Sequence, residues 1–347
     1  MFLYAGTFPR AYHADTTDVA FGVYGFRVAA DALVPVGLAE TPRAGWVAAH
    51  PGGRFLYVAN EIPDGGVSAF AVDPDTGALR PLNSRPTAAT PCHCTVDATG
   101  RYLLVSTFHG GTVHLFPLGA DGRIGPVLDS RQHEGASVHP RRQRSPHPHS
   151  VTLDPENRFA LVPDLGTDRV VVYELGHDKL VPAGEVRVAP GSGPRHLAFD
   201  PGGEFVYLVN EMAATVTAFG YHAGNLRELQ TVDLLPEGLT GHRSAAAIAV
   251  HGRFLYATTR SHGTSGPPPE PGLDSVVWFE IDRGRLMFRG RKPSGGAIPR
   301  SAVLRGERLY VAHQGSGTIV TFRLEAGEPV PAGVTETPVP VCLQIIE

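Results

Sequence analysis

The stretch Phe55-Leu-Tyr-Val-Ala-Asn60 decides the fold, because six variants of it recur along the chain. Each run has a bulky first residue and an interior of apolar or aromatic residues, a composition typical of a buried β-strand. The seven runs start 46 to 57 residues apart and occupy 2–7, 55–60, 102–107, 159–164, 205–210, 254–259 and 308–313. A strand with its turn needs about 8–12 residues, so each unit has room for four strands. Seven units of four strands predict an all-β, seven-bladed β-propeller with antiparallel blades.

The two ends of the chain indicate how the ring closes. The first unit begins directly on its second strand, at Phe2, and lacks an entry strand. The last residues, Pro340–Ile346, resemble the entry strand Pro91–Val96 of another unit. We therefore predict that the C-terminal strand joins the N-terminal blade, which removes open sheet edges. The same pattern predicts a single propeller domain over residues 1–347.

Composition narrows the classes of partner and the compartment. Apolar residues make up 42% of the chain and charged residues 18%, with a net charge of −4, so nucleic acid and membranes are not expected partners. Three cysteines argue against a disulfide framework and fit a reducing compartment. Because the chain starts without a leader pattern and has no apolar run near 20 residues, a cytoplasmic monomer or weak homodimer is expected.

Polar and charged residues collect where the innermost strands begin and the next strands end. Aligned entry strands place His149, Arg195 and Arg300 at equivalent positions. Residues that directly follow the second strands form another ring, to which Glu61, Glu211, Arg260 and Gln314 belong. Both rings face the central opening of a propeller. A cleft with several converging ionisable groups is the usual candidate site.

Several motifs at these positions resemble the lactonase family of seven-bladed propellers, and the similarity covers nearly the whole chain. They are Arg142-Gln143 followed by Pro146-His-Pro-His-Ser150, Asp164-Leu-Gly-Thr-Asp168, Gly191-Ser-Gly-Pro-Arg-His196, Asn210-Glu211, Leu255-Tyr-Ala-Thr-Thr-Arg260, and Pro299-Arg300 with Gln314. The family includes 6-phosphogluconolactonases and a fungal 3-carboxy-cis,cis-muconate cyclase. The resemblance implies catalytic roles for His149, Arg195, Glu211 and Arg260. It also implies a substrate-binding set of His147, His196, Arg300, Gln314, Glu61 and Gln143.

Each of these residues also has a purely structural interpretation. His147 and His149 could bond turn backbones, and His147 could replace His149 as the functional imidazole. Arg195 and Arg260 could pair with Glu211 or Asp164 as struts between blades, because buried charges are usually paired. Glu211 has a twin, Glu61, on another blade, which weakens the claim of either one.

Three further motifs favour structural interpretations. Cys92-His93-Cys94 is not a zinc site, because His93 points away from both cysteines on a strand and two thiols are too few ligands. No metal or cofactor is predicted. Asp164 and Asp168 are expected to bond turn amides, and the basic run Arg141–Arg144 to be a solvated loop.

The chain also departs from the family pattern near the expected opening. A Pro-rich insertion, Thr264–Leu273, follows Arg260 closely, and three consecutive prolines favour a stiff, extended segment. We predict that this segment lies across the opening as a lid; a tolerated surface insertion is the alternative. Thr41–Trp46 and Thr107-Phe108 also differ from the usual family residues.

The favoured function is hydrolysis of a small anionic sugar lactone, with 6-phosphogluconolactone as the first substrate. A lactone is an activated ester, so a serine nucleophile is not needed, and no Gly-x-Ser-x-Gly motif is present. His149 or Glu211 would act as general base, while Arg195 and Arg260 would stabilise the oxyanion. A cycloisomerase or lactonase for another carboxylate-bearing substrate is the alternative, and a non-catalytic propeller is the third.

Overall fold

The computed structural model describes residues 1–9, 21–236, 244–261 and 273–347. Every regular element in these ranges is a β-strand, and the strands form seven four-stranded antiparallel sheets. The seven repeated runs are the second strands of the seven blades, with the predicted bounds. The prediction of a seven-bladed propeller is confirmed. No described segment is a helix with the length and apolar character needed to cross a bilayer.

The strands are numbered along the chain, four to a blade. Blade one holds β1 (Phe2–Thr7), β2 (Gly22–Ala29) and β3 (Ala32–Glu40). Blade two holds β4 (Ala44–Ala49), β5 (Phe55–Asn60), β6 (Val67–Val72) and β7 (Leu79–Arg85). Blade three holds β8 (Pro91–Val96), β9 (Tyr102–Thr107), β10 (Thr112–Pro117) and β11 (Asp129–Gln132). Blade four holds β12 (Thr152–Leu153), β13 (Phe159–Asp164), β14 (Arg169–Gly176) and β15 (Lys179–Arg187).

The remaining blades follow the same order. Blade five holds β16 (Pro194–Phe199), β17 (Phe205–Asn210), β18 (Thr215–His222) and β19 (Asn225–Asp233). Blade six holds β20 (Ala245–His251), β21 (Phe254–Thr259), β22 (Ser275–Asp282) and β23 (Arg285–Pro293). Blade seven holds β24 (Pro299–Arg305), β25 (Arg308–His313), β26 (Thr318–Glu325) and β27 (Glu328–Glu336). The last strand, β28 (Pro340–Ile346), returns to blade one.

Strand β28 closes the ring as the sequence predicts. It pairs antiparallel with β1, from Phe2 opposite Ile346 to Thr7 opposite Pro340. The innermost strands β4, β8, β12, β16, β20, β24 and β28 pack beside one another around the axis. The starts of these strands therefore meet the ends of the second strands at one face of the molecule.

The repeated run also fixes how neighbouring blades pack. Its first aromatic ring and its tyrosine contact the outer hairpin turn of the next blade. The Tyr4 hydroxyl donates to the Gly77 carbonyl at 2.9 Å, and Tyr57 repeats this with Gly122 at 3.1 Å. Gly77 has a φ of 77°, and a Cβ there would lie 2.4 Å from the Phe2 ring, so the turn needs glycine on both grounds.

Blade four differs from the expected pattern at its entry strand. The alignment predicts an entry strand at Pro148-His149-Ser150, but β12 covers only Thr152–Leu153, and Pro148 makes an isolated bridge to Asp164. Pro146 and Pro148 have no N–H to donate. The His147 N–H bonds the Asp164 side chain at 2.8 Å instead of a strand partner.

Candidate active site

Irregular pairing at the start of the innermost strands turns selected side chains toward the opening. In blades two, three, five and seven, one residue of the entry strand is left without an opposite partner, which is a β-bulge. The residues at these bulges are Gly45, Cys92, Arg195 and Arg300. In blade four the register changes between Pro148 and Thr152, a segment that includes His149. Bulges often re-aim side chains at functional sites.

Glu211 is the centre of the largest ionic cluster near this opening. It directly follows β17, and its Oε2 accepts from Arg195 Nε at 3.1 Å and from Arg260 Nη2 at 2.9 Å. Its Oε1 accepts from Arg142 Nη2 at 2.7 Å. His149 Nε2 lies 3.7 Å from Oε2. The four residues with an implied catalytic role are therefore in direct contact, and Arg142 joins them.

Burial sets the character of this cluster. Arg195 and Arg260 are each 2% exposed and Glu211 is 3% exposed, whereas the Arg142 side chain is 36% exposed. Burial alone would raise the pKa of Glu211, but Arg260, Arg142 and Arg195 together hold it well below its usual range. Burial and repulsion by Arg260 lower the pKa of Arg195 to about 9. The carboxylate is thus ionised and saturated with donors, which makes it a weak base.

Neutral imidazoles pack against the buried arginines. Arg195 Nη1 lies 3.0 Å from His196 Nε2 and donates to the Ala246 carbonyl at 2.7 Å. A guanidinium only donates, so His196 Nε2 is the acceptor and its proton is on Nδ1. Burial, followed by the charge of Arg195, holds the pKa values of His149 and His196 well below the usual range. The same causes lower the pKa of His93 to about 3.

These imidazoles belong to a continuous stack of aromatic rings. Trp46 lies 4.2 Å from His93 and 5.0 Å from His196, measured between ring centroids. His196 in turn lies 5.3 Å from His149, which contacts Phe108 edge-on at 5.5 Å. Because Arg195, Arg260 and Glu211 are almost fully buried beside this stack, the electrostatic interactions among them are stronger than they would be in water.

His147 lies at the edge of the same stack. Its ring is parallel to Phe108 at 4.3 Å, and its Nδ1 is 2.8 Å from the Phe108 carbonyl oxygen. Since a carbonyl only accepts, Nδ1 carries the proton and Nε2 of the neutral ring is an acceptor. Asp164 fixes the backbone here, because its Oδ1 accepts from the N–H groups of His147 and Gly166 and its Oδ2 bonds His133 Nδ1 at 2.7 Å.

A second ionic group lies on blades two and seven. Arg300 Nη2 is 3.8 Å from Glu61 Oε2, and Arg300 Nη1 is 3.5 Å from Gln314 Oε1. Arg43 Nε donates to the backbone carbonyl of Glu61 at 2.9 Å. Arg300 also lies close enough to Arg195 to contribute to lowering its pKa. The two ionic groups therefore face the same central region.

Sequence reasoning assigned Arg142 to a solvated basic loop, and the structure gives it a direct contact with Glu211. The loop is anchored by Gln143, whose Nε2 donates to the Leu165 carbonyl at 2.9 Å and whose Oε1 accepts from His139 N–H at 3.0 Å. The Gln143 amide, which the resemblance assigns to substrate binding, makes both of these bonds within the protein. The available signal in the sequence was the Arg142-Gln143 pair that precedes the Pro146-His-Pro-His motif.

A cavity lies at the other end of the channel. It has a volume of about 470 Å³ and is lined by the far ends of innermost strands, including Val96, Leu153 and Gln344. Trp46 and His93 also line it, and both pack against His196. This ring layer therefore separates the cavity from the ionic cluster.

The sequence predicts a Pro-rich lid after Arg260. The Pro-rich insertion, Thr264–Leu273, lies outside the described residues except for Leu273, whose carbonyl accepts from Thr259 Oγ1 at 2.5 Å. Its role as a lid stays a prediction.

Within the described ranges no three His, Cys, Asp or Glu side chains are placed to hold a metal ion, and Cys92, Cys94 and Cys342 are free and buried.

Comparison with known proteins agrees with this architecture. The family described as Lactonase, 7-bladed beta-propeller matches residues 3–345. A 6-phosphogluconolactonase of Bacillus subtilis is 32% identical over 315 residues, which are 87% of this chain and 86% of that protein. A 6-phosphogluconolactonase of Pectobacterium carotovorum subsp. carotovorum is 34% identical over 285 residues, 79% of each protein.

Solved structures give the same result. The periplasmic gluconolactonase of Pseudomonas aeruginosa superposes with a TM-score of 0.89 at 30% identity, over 100% of this chain and 99% of that one. The resemblance inferred from the sequence motifs is confirmed by the family match and by relatives above 30% identity. The chain belongs to the lactonase family of seven-bladed β-propellers.

Proposed function

We propose that this protein hydrolyses a small anionic sugar δ-lactone, and that the lactone of 6-phosphogluconate is the first substrate to test. The observation that carries the proposal is the charge of the site: among the described residues, four guanidiniums, from Arg142, Arg195, Arg260 and Arg300, lie within 3.8 Å of two carboxylates, those of Glu211 and Glu61. The excess of two positive charges favours an anionic ligand, and a guanidinium can bind phosphate or carboxylate through two bonds. Relatives named 6-phosphogluconolactonase support the same substrate class.

The arginines differ in how easily they can contact a ligand. Arg195 and Arg260 are enclosed, whereas Arg142 is one-third exposed and bonds Glu211 through a single nitrogen. Arg142 can therefore exchange its Glu211 oxygen for a substrate oxygen without opening the buried pair. We assign Arg142 to the anionic group of the substrate, and Arg195 and Arg260 to a fixed positive field that stabilises the oxyanion.

The imidazoles suit proton transfer in their neutral forms. The His147 Nδ1–H donates to the Phe108 carbonyl oxygen, so Nε2 of the neutral ring is an acceptor. His149, the other candidate, has its Nε2 near Glu211. A proton donor to the leaving ring oxygen and a base for water are both needed, and either histidine could supply one of these roles.

The proposed oligomeric state and compartment rest on coarser features. We propose a cytoplasmic monomer or weak homodimer with no nucleic-acid or membrane partner. Three free, buried thiols fit a reducing compartment, and a net charge of −4 offers no attraction to polyanions. Light scattering behind size exclusion tests the oligomeric state, and fractionation of the source cells tests the compartment.

The function is tested with purified protein in a pH-stat, because each lactone hydrolysed at neutral pH releases one proton. Glucono-δ-lactone and its 6-phosphate are compared, each corrected for spontaneous hydrolysis. We expect acceleration of both and a preference for the phosphate. Arg142→Gln should raise KM for the phosphate about tenfold or more and should affect the neutral lactone less, since a charge-assisted bond contributes about 1.5–3 kcal/mol.

Arg141→Gln is the matched control, because Arg141 is the exposed neighbour of Arg142. It should leave both KM values unchanged. If the wild-type protein accelerates neither lactone, the proposed function is wrong. If Arg142→Gln and Arg141→Gln behave alike, hydrolysis stands and the anion-binding role of Arg142 is wrong.

A further inference from the structure

The Glu61 carboxylate lies at the same opening as the Glu211 carboxylate but has a different set of neighbours. Its side chain is 16% exposed, against 3% for Glu211. Among the residues that the structure describes, Arg300 is the cation paired with it, at 3.8 Å from Oε2 and beyond hydrogen-bond distance, and Arg43 bonds the backbone carbonyl rather than the carboxylate. Among the described residues, Glu61 Oε2 is buried and has no hydrogen-bond donor. The lone pairs of this oxygen are thus not engaged by any donor in the described part of the chain, while the side chain as a whole keeps 16% exposure.

A glycine on the adjacent strand explains the unusual setting of Glu61. Gly45 is the bulge residue of β4, and a Cβ there would lie 2.7 Å from Glu61 Oε2 and 2.9 Å from Glu61 Cβ. The carboxylate therefore packs directly against the backbone of the entry strand. Arg195 occupies the equivalent bulge of blade five and bonds Glu211. Glycine at position 45 both makes room for the Glu61 side chain and leaves it without a guanidinium from its own blade.

We propose that Glu61 is the general base that removes a proton from the attacking water, a role that rests on the lactone hydrolysis proposed above. The water oxygen then bonds the lactone carbonyl carbon, and the carbonyl oxygen becomes an oxyanion. When the tetrahedral intermediate collapses, the bond between that carbon and the ring oxygen breaks. The ring oxygen takes up the proton from the Glu61 carboxyl, which completes the hydroxy acid and restores the base.

The neighbours of Glu61 fit this role. Arg300 is near enough to contact the same water or the oxyanion, and Gln314 contacts Arg300 from the following strand end. Arg43 precedes β4 and fixes the backbone of Glu61.

Glu211 does not fit the role equally well. Both of its oxygens accept from guanidiniums, and its pKa is held well below the usual range. A base is most effective when its pKa lies near the working pH, so a carboxylate with a strongly lowered pKa removes a proton from water poorly. The structure therefore separates the two glutamates into one that holds the arginines and one that has an oxygen with no donor among the described residues.

Glu61→Gln tests the proposal, with hydrolysis of glucono-δ-lactone 6-phosphate as the readout. Since general-base catalysis contributes about 10²–10⁴-fold, we expect kcat to fall at least 100-fold, with KM changed less than about threefold and an unchanged Tm. Glu61→Asp keeps a carboxylate and should retain at least about tenfold more kcat than Glu61→Gln. Glu40→Gln, on exposed residue Glu40 of β3, is the matched control.

The outcomes separate this proposal from the proposed function. If the wild-type protein hydrolyses the lactone and Glu61→Gln keeps kcat within about threefold, the base is another group and hydrolysis stands. A change confined to KM overturns the role of Glu61 in the same way. If the wild-type protein hydrolyses no lactone, the proposed function fails, and the role of Glu61 fails with it.

Discussion

Glu61 and Glu211 occupy the same position in two repeats and have opposite surroundings. Each directly follows the second strand of its blade and is preceded by asparagine. Three guanidiniums saturate Glu211, whereas Glu61 has an oxygen with no donor among the described residues. In a repeat protein, equal backbone positions thus do not give equal chemistry.

Two equivalent positions explain the contrast. The bulge residue of the entry strand is Arg195 beside Glu211 and Gly45 beside Glu61. The residue that follows the second strand of the next blade is Arg260 for Glu211 and Phe108 for Glu61. Glycine and phenylalanine replace two cations, and Arg300 approaches Glu61 only to 3.8 Å. The same backbone framework therefore holds two kinds of carboxylate. We call Glu211 locked, because both of its oxygens bond guanidiniums, and Glu61 open, because one of its oxygens has no donor among the described residues.

The largest expected effect is on stability, in Glu211→Gln. Removing the carboxylate leaves two almost fully buried guanidiniums without their counter-charge, and breaking a buried pair typically costs about 3–5 kcal/mol. Glu61→Gln should change the free energy of unfolding by less than about 1 kcal/mol, because its ion-pair partner in the described part of the chain, Arg300, lies 3.8 Å away. Urea unfolding followed by circular dichroism measures both. Equal losses in the two variants would remove the distinction between a locked and an open carboxylate.

Much of this contrast could be predicted from the sequence. The strand runs are local patterns, so their bounds and the ring closure followed from the repeat alone. The same alignment brought Glu211, Arg195 and Arg260 together, because equal positions in a propeller converge on one face. Gly45 and Arg195 are equivalent in that alignment, but Glu61 and Glu211 were still interpreted as twins, because an alignment of repeats does not show which side chains lie close to each carboxylate.

Other features could not be predicted because they depend on segments outside the repeat. Arg142 belongs to the connection between β11 and β12, whose path is determined by bonds to Leu165 and Asp168 rather than by a strand period. The short β12 depends on side-chain bonding by Asp164, which a propensity argument does not include. The bulges also required the register, which the sequence does not specify by itself.

The second prediction concerns the free energy of unfolding at low pH. We expect acid to destabilise the region around Glu211 more than the region around Glu61. The pKa of His196 is lowered in the folded protein, whereas the unfolded chain binds a proton near pH 6.5. The unfolded state therefore holds more protons below pH 6.5, and stability falls as the pH falls. One such histidine contributes a slope of about 1.4 kcal/mol per pH unit, or about 2 kcal/mol by pH 5.

His196→Gln should remove that slope while keeping an acceptor for Arg195. The free energy of unfolding, measured between pH 7.5 and pH 5, should then decline less steeply than in the wild-type protein. His177→Gln is the control, because the His177 side chain is 88% exposed. An unchanged slope in His196→Gln would mean that His196 accepts a proton as readily in the folded protein as in the unfolded chain.

The third prediction tests whether Gly45 keeps Glu61 open. Gly45→Ala places a Cβ where Glu61 Oε2 and Cβ now lie, so the carboxylate must move. We expect kcat for lactone hydrolysis to fall about tenfold, equivalent to about 1.4 kcal/mol in the activation free energy. Gly176→Ala is the matched control, because a Cβ there meets its nearest atom at 3.4 Å, an ordinary contact. Equal kcat values in the two variants would show that Glu61 does not need its present position.

The smallest expected effect shows whether burial or distance determines how much each arginine of the Glu211 cluster contributes to the free energy of unfolding. The Arg142 contact, at 2.7 Å, is shorter than the Arg195 and Arg260 contacts, at 3.1 and 2.9 Å. Distance alone would make Arg142 the strongest partner. Its side chain is 36% exposed, however, and water screens such pairs, so Arg142→Gln should cost only about 0.2–1 kcal/mol. Arg195→Gln should cost several times more, because it removes a buried pair together with the bonds to Ala246 and His196.

Urea unfolding of both variants, with Arg141→Gln as control, measures the difference. A loss in Arg142→Gln as large as in Arg195→Gln would mean that Arg142 locks the cluster and cannot exchange Glu211 for a substrate anion.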